Sequence, residues 1–465
     1  MKFINLKNPL FSLGLIWFVP SIAFVLSPSY SPSTFPIWFS ILFTFLLSIY
    51  NRKVLIFGLP FISLLSPLAG PNNFLPFLPS EIYILIIFIV GFFYKVFTKD
   101  TNLVLFKGDA YLLIIFGLVL LSFFSSLEIF SLSKSLLSWI MIATIFMLSR
   151  FLLKSDQDVR VALGSIVFSS FFVCLIIFTS YFSGINLSDF LLKSGEKTIL
   201  TLGEDTSYIR GTYFYSNIGY ILGSAALIAF LMTIYVKSFF LKPLLVIVFL
   251  MNLLAIIILV EKTALAGLFI SLILLIPLYL MKNFKSFFSL LFFCVMAIII
   301  FNLINFLMGS LFLDFQIAGL EQRLCVIGSA TNVLLDNPLR IIFGYGPDAT
   351  NILNTSDIRN SMINCVNARE YAIDSGVMTF LFEYGLLFIL VFYIFFFHSL
   401  IRIISYLKNR KDKQDILFCI FSAIIFINIC MLTDVLGTSK VMWLVAVIFS
   451  LIGIALQQKE SQFNK

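Results

Sequence analysis

The chain has 465 residues, of which 60% are hydrophobic and 12% charged, and its formal net charge is +8 at pH 7. Soluble globular domains carry charges at roughly a quarter of their positions. This composition, with a mean hydropathy of +1.07, therefore excludes a water-soluble fold. Nucleic-acid binding is not indicated either, because the basic residues are scattered between apolar runs and form no single basic stripe.

Apolar runs of spanning length recur along the chain and predict about 14 transmembrane helices. We expect an all-α polytopic membrane protein whose single bundle takes up residues 1–465. No small-residue cleavage site follows the first run, which is therefore predicted to be retained. In chain order, the runs lie at 10–27, 34–50, 54–69, 81–97, 110–126, 134–150, 161–183, 217–236, 243–260, 264–281, 286–310, 375–398, 416–433 and 440–457.

The basic residues predict the orientation of this bundle. Lysine and arginine near helix ends favour the cytoplasmic side of the membrane. With the amino terminus in the cytoplasm, 21 of the 31 basic residues fall in cytoplasmic segments. Both termini are therefore expected to be cytoplasmic. Asp156 and Asp158 lie on a short cytoplasmic connection and are interpreted as solvated acids.

Two outward segments, 184–216 and 311–374, are much longer than the other connections. Long loops in compact proteins are usually functional lids or disordered linkers. The second loop contains QRLCVIGSATNVLLDNPLRII, whose apolar spacing predicts short amphipathic helices that lie on the membrane. We therefore expect function to reside in these loops.

Arginine is concentrated in the two outward loops, although positive charge outside opposes the topology bias. A guanidinium group can grip a phosphate through two parallel hydrogen bonds and keeps its charge, so this set suits a pyrophosphate ligand. The alternative is that these residues pair with acidic neighbours in the same loops. The loops hold five of the ten arginines, Arg210, Arg323, Arg340, Arg359 and Arg369.

Glu261 and Lys262 occupy a tight turn between two apolar runs. Charges at such a position can snorkel to the membrane interface. Two interpretations stand side by side: Lys262 is a cation directed into the arginine-lined cavity, or the two residues form a local pair that anchors the turn. Few charges are predicted inside the helices themselves.

Four segments follow one another in chain order: RGTYFYSNIG (210–219), EKTALAG (261–267), RLCVIGSATNVLLDNPLRIIFGYG (323–346) and DSGVMTFLFEYGLL (374–387). Together they resemble segments of the bacterial O-antigen polymerases and the related O-antigen ligases. The resemblance covers roughly residues 200 to 400. It implies a GT-C-like helical bundle with one large periplasmic loop, in the bacterial inner membrane.

The resemblance implies transfer of a growing glycan from an undecaprenyl-pyrophosphate donor to a sugar hydroxyl of a second lipid-linked repeat unit. This reaction takes place at the periplasmic face and produces O-antigen or a similar surface polysaccharide. No cofactor or metal is expected. The implied partners are the lipid-linked oligosaccharides, membrane lipids, a chain-length regulator and the flippase of the same pathway.

The same resemblance assigns roles to individual residues. Arg210 and Arg323 are expected to stabilise the charge on the leaving pyrophosphate. Asp374 is the candidate general base, and because the ligases carry a histidine at this position, it favours a polymerase over a ligase. The remaining candidates bind pyrophosphate or glycan or, as glycines, permit a tight turn near the sugar: Arg340, Lys262, Arg359, Arg369, Asn217, Gly344 and Gly346.

Cys325 and Cys365 both fall in the large outward loop, where an oxidising compartment would allow a disulfide between them. The alternative is that both thiols are free. His398, the one histidine of the sequence, lies at the predicted cytoplasmic end of its helix and cannot reach an outward site. The main rival function is a flippase, which would have charges inside its helices and two related halves.

Overall fold

A computed structural model describes thirteen bounded helices and several turns of this chain. All regular secondary structure in the described residues is helical. The predicted runs at 10–27 and 286–310 lie outside them. The described residues are 35–65, 79–98, 108–125, 129–183, 218–236, 238–259, 262–280, 328, 330–335, 338–347, 349, 376–409, 416–433 and 439–463.

Twelve of the bounded helices coincide with predicted apolar runs, and α10 is an additional short helix. The structure confirms the all-helical fold class for the part of the chain that it describes. The helices are α1 Phe35–Tyr50, α2 Val54–Leu65, α3 Pro79–Thr98, α4 Asp109–Ser125, α5 Ile129–Leu152, α6 Asp156–Ser183, α7 Ile218–Tyr235, α8 Leu241–Ile258, α9 Lys262–Leu280, α10 Pro338–Phe343, α11 Gly376–Asn409, α12 Ile416–Thr433 and α13 Ser439–Phe463.

Three helical stretches are long and apolar enough to cross a membrane: Asp156–Leu175, Leu241–Ile258 and Gly376–Tyr406. The other apolar helices are shorter within the described residues. The fold is therefore a helical bundle suited to a membrane. The total number of spans and the orientation remain predictions.

The bundle is built around α12 and α13. Residues 416–428 of α12 are buried without interruption, and α12 packs against α7, α9, α11 and α13. At the periphery, α8 buries one row of side chains that includes Leu245, Val248 and Ala255. Its opposite side exposes Val246, Leu250 and Leu254. A peripheral helix that is apolar on all sides is expected where lipid replaces water.

Small residues bring the central helices close together. Phe426 of α12 lies against Gly223 of α7 and Gly267 of α9. A Cβ atom at Gly223 would lie 2.0 Å from the ring of Phe426. Interfaces between membrane helices favour such residues, because dispersion contacts replace the hydrophobic effect as the driving force.

The start of α6 corrects one interpretation of the sequence. Asp158 is only 1% exposed and is not a solvated acid. Its Oδ1 accepts a 2.7 Å hydrogen bond from Lys53 Nζ, and its Oδ2 accepts one from the backbone N–H of Ser155. The Ser155 hydroxyl in turn accepts the N–H of Asp158, which completes a capping box.

A second ion pair lies inside the bundle, where few charges are expected. Arg150 of α5 is 1% exposed and donates a 2.9 Å hydrogen bond from Nη2 to Asp109 Oδ1 of α4. Its guanidinium carbon lies 5.1 Å from the centre of the Phe146 ring. Gly453 of α13 leaves room for the guanidinium group, because a Cβ there would overlap it. Arg150 ends the predicted run 134–150 and is one of the 21 basic residues assigned to cytoplasmic segments.

Candidate functional site

The structure describes four of the candidate site residues. Arg340, Gly344 and Gly346 are described fully, whereas Lys262 is described only as the first residue of α9. Whether the five outward arginines converge is therefore not tested. The candidates outside the described residues are Arg210, Asn217, Arg323, Cys325, Arg359, Cys365, Arg369 and Asp374.

The described part of the loop predicted at 311–374 is a short helix followed by a tight turn. Pro338 opens α10, where its missing N–H costs nothing. The N–H of Gly344 donates to the carbonyl of Arg340 at 2.8 Å and closes the last turn. Gly344 and Gly346 both have positive φ, at 73° and 99°. Residues 344–346 therefore form a sharp turn, here called the glycine turn.

The long helix α11 is broken at Gly385, whose backbone is not helical (φ 82°, ψ 174°). A break leaves carbonyl groups without their partners four residues further along the helix. Two of them accept hydrogen bonds from the glycine turn: Tyr345 N–H donates to Phe382 O at 2.8 Å, and Gly346 N–H donates to Glu383 O at 2.9 Å. The turn thus satisfies backbone groups that would be costly to leave unpaired in a membrane.

The two backbones meet with no space for side chains between them. A Cβ atom at Gly385 would lie 2.2 Å from Ile342 O. A Cβ atom at Gly344 would lie 2.3 Å from Glu383 O. Gly344 and Gly385 are therefore required by their positive φ and also by the close approach of the chains.

The glycine turn also holds Arg340. The guanidinium carbon of Arg340 lies 5.0 Å from the centre of the Tyr345 ring, a cation–π distance. Its Nη1 donates a long, 3.4 Å hydrogen bond to Gly344 O. The Tyr345 ring is itself fixed, because it stacks on Phe382 at 5.0 Å and its hydroxyl donates to Val333 O at 2.9 Å. Arg340 is thus a half-buried cation on a rigid platform.

Apolar residues close to Arg340 in the chain are exposed. Leu339 is 67% exposed, and Ile342 and Phe343 of α10 are also exposed. Leu386 and Leu387, which directly follow the break in α11, are exposed as well. A fixed positive charge beside apolar surface suits an anion that carries an apolar portion.

Sequence reasoning missed the break in α11. It placed one uninterrupted helix at 375–398, because the run is apolar and glycine is common in transmembrane helices. The available signal was the pair Glu383 and Gly385, a charge and a flexible residue in the middle of the run.

Other polar groups lie away from the glycine turn. His398 packs against Tyr111 with ring centres 5.6 Å apart, near the far end of α11. Within the described ranges, no three His, Cys, Asp or Glu side chains are arranged to hold a metal ion. The thiols of Cys174, Cys419 and Cys430 are buried among the helices.

No protein-family model matches this sequence, and neither does any curated protein. The likeness to O-antigen polymerases therefore depends on the four sequence segments. The structure describes parts of three of them at length: 262–267, 330–335 with 338–346, and 376–387. The last two meet at the glycine turn.

Proposed function

We propose that this chain is a glycosyltransferase that polymerises undecaprenyl-pyrophosphate-linked repeat units into O-antigen or a similar polysaccharide, at the periplasmic face of the bacterial inner membrane. The observation that carries the proposal is the position of Arg340. It stands at a break in a membrane-spanning helix, on a platform formed by the glycine turn.

The break supports a site at this place. Interrupted helices in membrane proteins expose backbone groups near substrate sites, where irregular structure is tolerated only against protein or a water-filled cavity. Here the interruption involves two of the four segments that resemble the polymerase family. A substrate that is amphiphilic and anionic also matches the combination of Arg340 with exposed Leu339 and Phe343.

The proposed reaction breaks the bond between the donor sugar's anomeric carbon and the pyrophosphate oxygen. The acceptor hydroxyl oxygen attacks that carbon and loses its proton to a general base, for which Asp374 is the candidate. The bonding electrons leave with the pyrophosphate, and Arg210 and Arg323 stabilise its added charge. Arg340 binds the pyrophosphate or the glycan, and Lys262, Arg359 and Arg369 assist. No metal ion or nucleotide sugar takes part.

A flippase is the second candidate, because the buried Arg150 and Asp109 are charges inside the bundle. This buried pair is weak support for a flippase. The pair is neutralised and enclosed by α4, α5 and α13, whereas a transport route needs charges that line a cavity. Deletion strains separate the functions: loss of a polymerase leaves single capped repeat units on the surface, loss of a flippase leaves none, and loss of a ligase abolishes attachment.

The direct test is elongation of purified lipid-linked repeat units by the purified full chain. We expect long products from the wild type and a loss of about 10²–10³-fold in rate for Arg323→Ala, as for removal of one preorganised donor. Arg323→Lys should rescue poorly, because the planar fork is lost. Arg160→Ala, at an exposed position on α6, is the matched control and should elongate normally.

Two outcomes would contradict the proposal. The first is failure of the wild type to lengthen the units under conditions in which it is folded and monodisperse. The second is full-length product from Arg323→Ala at the wild-type rate.

A further inference from the structure

A partly buried hydrogen bond connects α5 to the break in α11. Trp139 Nε1 of α5 donates to the hydroxyl oxygen of Tyr384 at 2.8 Å, and the two rings meet edge to face at 5.5 Å. Tyr384 is 5% exposed and directly precedes Gly385. Trp139 also meets Phe388 edge to face on the other side of the break, with ring centres 6.0 Å apart. Its indole therefore contacts both halves of the broken helix.

The segment held by Trp139 is the one on which the glycine turn docks. The Phe382 and Glu383 carbonyls, which accept the N–H groups of Tyr345 and Gly346, immediately precede Tyr384. The ring of Tyr345 then supports the guanidinium of Arg340. The contacts thus run without interruption from α5, through the break, to the candidate substrate-binding arginine.

The other end of α5 is anchored independently. Arg150 is bonded to Asp109 and enclosed by Gly453, about three helical turns from Trp139. A helix fixed at that end can transmit a constraint at Trp139, because it cannot slide along its axis without breaking a buried ion pair. Held in this way, α5 serves as a rigid support for the break.

We infer that Trp139 is a positioning residue for Arg340: its hydrogen bond to Tyr384 fixes the break in α11, and the fixed break orients the glycine turn that carries the arginine. The inference deepens the proposed function and rests on it for the activity measurement. Trp139 itself touches neither Arg340 nor any group assigned to the chemistry.

The first measurement needs no substrate. In Trp139→Phe, the ring remains but the donor is lost, so the amides of Tyr345 and Gly346 should exchange with deuterium about 2- to 10-fold faster, as for loss of one neutral hydrogen bond. Mass spectrometry of peptides that span the glycine turn reports this rate. Trp443→Phe is the control, because Trp443 on α13 is 2% exposed and no described residue accepts a hydrogen bond from its indole nitrogen.

The second measurement is a double-mutant cycle on elongation kinetics. Trp139→Phe should raise KM for the lipid-linked donor about 2- to 10-fold and leave kcat unchanged, because it weakens binding through Arg340. In an Arg340→Ala background, Trp139→Phe should have no further effect on KM. Residues that do not touch normally act additively, so this non-additivity would reveal the coupling.

The outcomes separate the two proposals. Unchanged amide exchange in Trp139→Phe, or additive effects with Arg340→Ala, would overturn the positioning role. A fall in kcat with unchanged KM would indicate general loss of structure and would overturn it too. If the wild type does not elongate lipid-linked units, the proposed function fails, but the amide-exchange measurement still decides whether Trp139 holds the glycine turn.

Discussion

Gly344 and Gly385 are constrained in two separable ways. Each has positive φ, which costs an alanine about 1–3 kcal/mol, and each lies against backbone atoms that cannot rotate away. The second constraint is the larger, because a Cβ 2.2–2.3 Å from a carbonyl oxygen must push whole segments apart. Both glycines are therefore needed where the described loop residues meet α11.

Replacing either glycine by alanine should undock the glycine turn while the bundle stays folded. In Gly385→Ala, we expect α11 to become a more regular helix, because alanine favours helix over the observed conformation. The freed carbonyls would regain helical partners, and the amides of Tyr345 and Gly346 would lose protection from hydrogen exchange. The measurement is exchange at the turn, together with melting in detergent.

Gly117→Ala is the control for this pair, because nothing lies within 4 Å of a Cβ placed there. It should leave exchange at the glycine turn unchanged and should not lower the melting temperature. Normal protection of the turn in Gly385→Ala would contradict the docking geometry.

The buried Arg150–Asp109 ion pair affects stability through charge, because each partner neutralises the other inside the bundle. Asp109→Asn leaves a guanidinium charge buried without its counter-ion, so we expect a loss of about 3–5 kcal/mol in the free energy of unfolding. The double variant Asp109→Asn/Arg150→Met should recover most of it, because no charge remains to be desolvated. Chemical unfolding in detergent micelles measures both.

Lys53→Met provides the comparison for the ion-pair experiment. The Lys53 side chain is 37% exposed, so its pair with Asp158 is partly screened. Asp158 also keeps its bonds to backbone N–H groups, and we expect a loss of about 1 kcal/mol or less. If Asp109→Asn lowers the free energy of unfolding by no more than Lys53→Met does, then Arg150 is solvated or has found another partner.

At the scale of the helices, the position of α12 depends on the slot that Gly223 and Gly267 open for Phe426. Gly223→Ala should destabilise the bundle by about 1–3 kcal/mol, the usual range for overpacking a core. Gly223→Ala/Phe426→Leu should be more stable than Gly223→Ala, because the smaller side chain yields space to the new methyl group. Thermal melting in one detergent compares the variants.

Gly164→Ala is the control for this packing experiment, because it adds the same methyl group to α6 where no atom lies within 4 Å. We expect no destabilisation from it. If Phe426→Leu fails to relieve Gly223→Ala, then the close contact between α7 and α12 does not limit the stability of the bundle.

The helices were predictable because apolar length alone determines them in a membrane protein. The run at 416–433 matches α12 at both ends, since charged residues or turn residues flank it. The break in α11 was not predictable by the same rule. Positive φ at Gly385 is stabilised by hydrogen bonds from residues about forty positions earlier, and a window of local hydropathy contains no information about them.

At the scale of the whole molecule, the sequence predicted one feature of the candidate site, and the convergence of the arginines stays a prediction. A glycine turn near Arg340 could be inferred from the spacing of Gly344 and Gly346. The surface of α11 on which this turn docks could not be inferred, because it depends on how α10 and α11 pack. The burial of Arg150 was not predicted for a related reason: Arg150 ends an apolar run, and its burial depends on Asp109 of α4 and Gly453 of α13.

The proposed function depends on the orientation of the molecule in the membrane, because a periplasmic polymerase site requires the glycine turn to face the periplasm. Asn332→Cys and Ser238→Cys test this, since both positions are exposed and polar and the topology assigns them to opposite sides. In a background with all six native cysteines replaced, a membrane-impermeant maleimide that reaches the periplasm should label Asn332→Cys in intact cells. It should label Ser238→Cys only after the inner membrane is permeabilised, because a cytoplasmic turn is shielded by the bilayer. The reverse pattern would place Arg340 on the cytoplasmic side. Because the proposed polymerisation takes place at the periplasmic face, this result would contradict the proposed site.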